Sequence, residues 1–306
     1  MRISSDFNIR IPGKWVLAGE HSVLRGVSAI ALPHPEFSLT FDFKAIRSAM
    51  PGDLEIFPRS AAVVIREILE QVREEALRLG HQLIEPAGVI QMDSSIPLGA
   101  GLGSSAALCS AITRWLAPDI GLETSDMVAF ARGLENRFHG KSSGMDVAAV
   151  LEAVPIRFNI ISGATKLGVT QIPRFTFHDS GRRARTQDCV RQVMDLVEKD
   201  PIRAAEIDSA MNESCERAAQ GLIAYDLAHS EENPKKAGIG LASERALAQI
   251  AEAMVQAQAC FEAWNLVIPE ARLIEQRLLR EGALAVKTTG AGAGGFSVAL
   301  WPGAPV

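Results

Sequence analysis

The segment Pro97-Leu98-Gly99-Ala100-Gly101-Leu102-Gly103-Ser104-Ser105-Ala106-Ala107 constrains this chain more than any other. Three glycines at alternate positions allow positive φ and a close approach of backbone to a ligand. Two hydroxyls follow, and the apolar stretch Ala106 to Leu116 then reads as a helix. A loop of N–H groups feeding a helix N-terminus makes an anion site, and phosphate is its natural guest. A tight strand-to-helix turn is the plain alternative. Two familiar nucleotide loops do not fit. A P-loop needs Gly-Lys before Ser or Thr, but here Gly103 precedes Ser104. The dinucleotide fingerprint needs a glycine spacing that Gly99, Gly101 and Ser104 do not match.

Two further segments accompany this loop. One is Pro12-Gly13-Lys14-Trp15-Val16-Leu17-Ala18-Gly19-Glu20-His21-Ser22 near the N-terminus. The other is Lys287-Thr288-Thr289-Gly290-Ala291-Gly292-Ala293-Gly294-Gly295-Phe296 near the C-terminus. In order and position the three resemble the signature motifs of the GHMP kinases, which phosphorylate small metabolites. The resemblance spans the chain. It implies an α+β, two-lobed fold with nucleotide and substrate in a cleft between the lobes.

Composition agrees with a globular enzyme. In 306 residues, 47% are hydrophobic and 22% charged, with a net charge of −5. That balance argues against nucleic acid or an anionic membrane as the main partner. No run of about 18 apolar residues marks a membrane span, and Met1 to Pro12 lacks the apolar core of a signal peptide. The four cysteines, Cys109, Cys189, Cys215 and Cys260, lie far apart without CxxC spacing. They read as buried thiols of a reducing, cytoplasmic protein.

Short extended runs are expected at 7–11, 37–43, 54–57 and 88–92. Helices are expected at Ser60 to Leu79, with Ser60 as a cap, and at Ser125 to Phe138. Residues 155–161 and 166–177 look extended, long helices fill 185–281, and the C-terminus reads as strand, turn, strand. Pro269 suits a first helical position and Gly282 a helix stop. The polar segment Ser230 to Gly240 reads as an exposed loop. The mixed element order favours α+β. The division is placed at residue 160, with an ATP-binding domain over 1–160 and a second domain over 161–306.

Phosphoryl transfer requires phosphate binding, a divalent cation, an oriented hydroxyl and charge neutralisation. Pro97, Gly99, Ala100, Gly101, Leu102, Gly103, Ser104 and Ser105 form the candidate ATP-binding loop. Ser105 reads as a helix cap, and the resemblance makes it a Mg²⁺ ligand as well. The stretch Glu135 to Asp146 supplies two carboxylates, with Asp146 expected at a loop tip after Ser142-Ser143-Gly144. By resemblance Glu135 ligates Mg²⁺, and Asp146 accepts or orients the proton of the acceptor hydroxyl. Lys14 offsets developing charge, against the plain reading of a snorkelling surface lysine. Glu20 and His21 resemble the substrate-side edge, where His21 is as readily structural. Thr289 and Gly290 shape the site beside the phosphates and substrate.

Within the family, His139-Gly140, two variable positions and Ser143-Gly144-Met145-Asp146 resemble the branch that phosphorylates the primary hydroxyl of mevalonate. Asp179-Ser180-Gly181 with Thr186, and Met254 to Pro269, agree. Val147 and Ala153 depart from that pattern, and Ala293 stands where the family often has glycine. A phosphomevalonate acceptor is the alternative and would draw on Lys141, Arg182, Arg183 and Arg185. The resemblance also implies a homodimer.

Overall fold

The computed structural model describes residues 5–78, 80–81, 85–139, 142–230 and 239–303. Compactness divides the chain into two units. The first contains 1–14, 33–97 and 103–153; the second contains 15–32, 98–102 and 154–306. A single cut at 160 therefore misses two exchanges. Residues 15–32 and 98–102 join the second unit, because the strands and loops that carry them are held there by long-range contacts a linear reading cannot see.

The first unit is built on β1 (Phe7–Ala18) and β2 (Ala29–Ala45), both long enough to run on beyond it, with β3 (Leu54–Phe57), α1 (Ala62–Arg78) and β4 (Gly88–Ser94). β2 pairs antiparallel with β4, from Leu39 opposite Ser94 to Ala45 opposite Gly88, and β4 pairs parallel with β3. Helices α2 (Ser104–Leu116), α3 (Met127–His139) and α4 (Met145–Glu152) follow and pack on one another. Alternation in β2 sends Phe41 and Phe43 inward, where both rings meet Trp115 of α2 at centroid separations of 5.4 and 4.5 Å. Ile65, Ile68, Val72 and Ala76 form the buried stripe of α1 at helical spacing. The helix starts two residues later than expected. A short 3₁₀ turn occupies Arg59–Ala61, so Ser60 lies inside that turn and not at the cap position before Ala62. Leu79 lies outside the described residues.

The second unit contains β5 (Ile156–Asn159), β6 (Gly163–Lys166), β7 (Phe175–Asp179), helices α5 (Thr186–Lys199), α6 (Pro201–His229), α7 (Ile239–Ala263) and α8 (Pro269–Arg280), and strands β8 (Ala285–Thr289) and β9 (Phe296–Leu300). β9 is the central strand between β7 and β8, all antiparallel. Trp15 packs on this sheet with Phe175 and Phe177 at 4.8 and 5.3 Å. α6 and α7 pack closely at Gly221, where a β-carbon would sit 2.6 Å from Ile250 Cγ1. Pro269 is at the start of α8 and Gly282 follows its end with φ 103°, as expected. Residues 167–174 are irregular, so the expected extended run at 166–177 breaks into the end of β6 and the start of β7. The expected loop at 230–240 falls largely on residues outside the description. No described helix is long and apolar enough to cross a membrane.

Candidate functional site

The glycine loop behaves as its composition demands. Gly99, Gly101 and Gly103 have φ of 67°, 76° and 80°, the left-handed region that side chains avoid. Gly103 is the N-cap of α2. Ser105 is therefore the second helical residue, not the cap. The first turn of α2 contains no acidic side chain, so its free N–H groups and dipole are left to attract an anion.

Beneath Gly103 runs the stem of Lys14. A β-carbon at Gly103 would lie 2.9 Å from Lys14 Cγ. The lysine is only 3% exposed, and its Nζ lies 2.9 Å from Oδ2 of Asp146, which is 31% exposed. The surface reading of Lys14 is thereby excluded: its charge is buried against a carboxylate that still faces solvent. Asp146 sits in the first turn of α4, entered through Gly144 at φ 88°, and not at a loop tip. The helix N-terminus favours its negative charge.

Glu135 of α3 completes this group. It is 1% exposed. Burial, and secondarily the Asp146 carboxylate, push its pKa up to about 7 against the hydrogen bond from Ser142, the charge of Lys14 and the hydrogen bond from Ser105. Two carboxylates thus share one lysine, with the Ser105 hydroxyl beside Glu135. Oxygen donors with surplus negative charge fit Mg²⁺. The Asp146 carboxylate adds to the effect of burial on Glu135, and one lysine does not offset the two together. Among the described residues no cluster of three His, Cys, Asp or Glu side chains is poised for a metal.

Several residues without an assigned role organise this group. Ser142 Oγ donates to Glu135 Oε2 at 2.6 Å and accepts from the Gly144 N–H at 3.1 Å. Its own N–H donates to Asn136 Oδ1, and its carbonyl accepts from Arg132 Nε. The sequence shows Ser142 only as one of two variable motif positions; nothing there signals these bonds. Lys141 lies outside the described residues.

The second unit holds the other predicted residues. Lys287, fully buried on β8, donates to Glu20 Oε1 at 2.6 Å and to the Val16 carbonyl at 3.3 Å. The Phe261 ring lies 5.2 Å from its Nζ. Thr289 Oγ1 donates to the Val16 carbonyl and accepts from the Val16 N–H. Glu20 and Thr289 are thus engaged in internal bonds. His21 Nε2 is 2.9 Å from the Ala291 carbonyl. A carbonyl only accepts, so the proton is on Nε2. Burial lowers the His21 pKa to about 4, keeping the ring neutral. Gly290 approaches Gly101 so closely that a β-carbon on Gly290 would lie 3.1 Å from Gly101 Cα. A lysine in the strand leading into a glycine-rich turn was the available hint that Lys287 had a partner.

Of the arginines suited to an extra phosphate, Arg182 pairs with Glu270 and Arg183 with Asp179, and Arg185 is exposed at the N-cap of α5. Two departures from the family pattern have a common geometry. Ala153 and Ala293 both take φ of 52°, in the left-handed region that favours glycine.

Comparison with known proteins shows what this chain is similar to. The family model "GHMP kinases N terminal domain" matches residues 63–153. A mevalonate kinase of Aeropyrum pernix is 29% identical, covering 95% of this chain and 87% of its own length. One of Thermococcus onnurineus is 28% identical, with coverage of 95% and 88%. Among solved structures, L. major mevalonate kinase in complex with R-mevalonate superposes with a TM-score of 0.75 at 20% identity, covering 99% of this chain and 90% of that one.

Proposed function

We propose that this chain is a GHMP kinase and that it transfers the γ-phosphoryl group of ATP to the primary hydroxyl of mevalonate, giving 5-phosphomevalonate and ADP. The acceptor follows the curated relatives, mevalonate kinases aligned over 95% of the chain. The observation that carries the chemistry is the Lys14–Asp146 pair, a buried cation held 2.9 Å from a partly exposed carboxylate.

In this reading Asp146 orients the acceptor hydroxyl and takes its proton as the oxygen bonds to the γ-phosphorus and the bond to ADP breaks. Lys14 holds the Asp146 carboxylate in place through their ion pair and offsets charge on the entering oxygen. Glu135 and Ser105 would hold Mg²⁺, which when bound neutralises phosphate charge. The loop formed by Pro97 and Gly99 to Ser105 binds the phosphates through the N–H groups of Gly99 to Ser105, while Pro97, which has no N–H, shapes its entry. His21 and Gly290 contribute to the acceptor side. Glu20 and Thr289 serve that side through the internal bonds that hold the turn after β8. A cytoplasmic location accords with four free, buried cysteines; a homodimer completes the reading and is checked by light scattering.

A coupled ADP-release assay with Mg-ATP against mevalonate, phosphomevalonate, homoserine and galactose tests the proposal. Selective turnover of mevalonate supports it. Turnover confined to phosphomevalonate would transfer the assignment to that acceptor.

A further inference from the structure

We propose that Ser142 is a positioning residue that fixes Glu135 for its divalent cation and ties that carboxylate to the turn delivering Asp146. The inference rests on the proposed role of Glu135 as a cation ligand. Its geometric basis is the hydrogen-bond sense at one hydroxyl. Ser142 Oγ has a single proton. The Gly144 N–H, 3.1 Å away, can only donate to it. That contact occupies a lone pair and leaves the hydroxyl proton for Glu135 Oε2, 2.6 Å away, which as a carboxylate accepts. The bond therefore has one direction, from serine to glutamate.

Ser142 is itself held from both sides. Its N–H donates to the side chain of Asn136, the residue after Glu135 on α3, at 2.8 Å. Its carbonyl accepts from Arg132 Nε, one turn earlier on the same helix, at 2.9 Å. The stem of Arg132 also fills the space over Gly144, where a β-carbon would lie 3.0 Å from Arg132 Cδ. Three residues of α3 thus grip one serine, and that serine grips the glycine that opens α4, two positions before Asp146. Partners that orient a metal ligand commonly change metal affinity 10- to 100-fold when removed. In the motif that this chain resembles, position 142 is variable, so this device is a property of this chain.

The test uses the full-length protein and Mn²⁺ as the probe. Mn²⁺ is titrated by electron paramagnetic resonance in the presence of a non-hydrolysable ATP analogue, for wild type, Ser142→Ala, Ser142→Thr and Glu135→Gln. Ser142→Ala should weaken Mn²⁺ binding about tenfold, and Ser142→Thr, which keeps the hydroxyl, should restore it to within about threefold of wild type. The far-UV circular dichroism and urea midpoint of Ser142→Ala should stay close to those of Ser142→Thr, because a general loss of structure would shift them as well. Wild-type Mn²⁺ affinity in Ser142→Ala would overturn the proposal. So would failure of Ser142→Thr to improve on alanine, or unaltered Mn²⁺ binding in Glu135→Gln. The readout is independent of the acceptor. If wild type binds Mn²⁺ but does not turn over mevalonate, the functional reading fails while the Ser142 comparison still decides its own question.

Discussion

Gly103→Ala separates two costs that usually arrive together. The first is conformational. Gly103 has φ +80°, and placing a side chain in the left-handed region costs about 1–2 kcal/mol, partly offset by the roughly 0.5–1 kcal/mol that alanine recovers through a less free unfolded chain. The net stability loss should be about 1 kcal/mol. The second cost falls on Lys14. The new β-carbon would lie 2.9 Å from its Cγ, whereas carbon atoms pack best at about 3.5–4.0 Å. The buried lysine stem must retreat by about half an ångström or more. A misplacement of about 1 Å at a reacting group can cost about 100-fold in rate, so this retreat should lower kcat about tenfold. Gly80→Ala is the control: φ is 82° but nothing lies within 4 Å of the added carbon. The two variants should lose similar stability in urea unfolding, while only Gly103→Ala loses turnover in the ADP-release assay. Equal kcat in the two variants would refute the argument that Gly103 is needed for the path of Lys14.

Other outcomes follow from the same geometry. Asp146→Asn should bind ATP normally yet lower kcat by orders of magnitude; near-normal turnover would remove Asp146 from proton handling. Glu135 has a folded pKa near 7, above its ordinary value of 4.5, so burying it ionised costs stability that appears as pH rises from about 4.5 through 7. Glu135→Gln should therefore gain thermal stability over metal-free wild type at pH 8 but little at pH 4, and a pH-independent difference would contradict this. Lys287→Met leaves Glu20 buried without its cation and should cost about 3–5 kcal/mol. Adding Glu20→Leu should recover most of that loss, and chemical denaturation of both variants measures it.

Much of the site was readable because its chemistry depends on local backbone. Alternating glycines announce left-handed turns wherever they occur, and 99, 101 and 103 obey. The strand–turn–strand at the C-terminus and Pro269 at the start of α8 were equally legible, since each depends on residues within a few positions. What escaped depends on distance in the chain. Lys14 and Asp146 are 132 positions apart, and only folding shows that the lysine is buried against that carboxylate. Lys287 was visible as a letter in a motif, but its partner Glu20 is 267 residues away. Asp146 looked like a loop residue because Ser-Ser-Gly reads as a turn; the turn is real, but it ends one residue earlier and α4 begins there. Ser142 escaped because a serine in a polar turn has many ordinary uses, and its bond to Glu135 exists only once α3 and the turn meet.

Ala153 and Ala293 suggest how motifs of this kind should be compared. Each stands where the family pattern favours glycine, and each takes φ of 52°, in the left-handed region that glycine enters most readily. Scored by letter, both are losses; scored by dihedral angle, both are left-handed positions of the kind glycine serves. A search for distant relatives that tolerates alanine at left-handed positions, but not a β-branched residue, would therefore follow the backbone more closely than one that counts glycines.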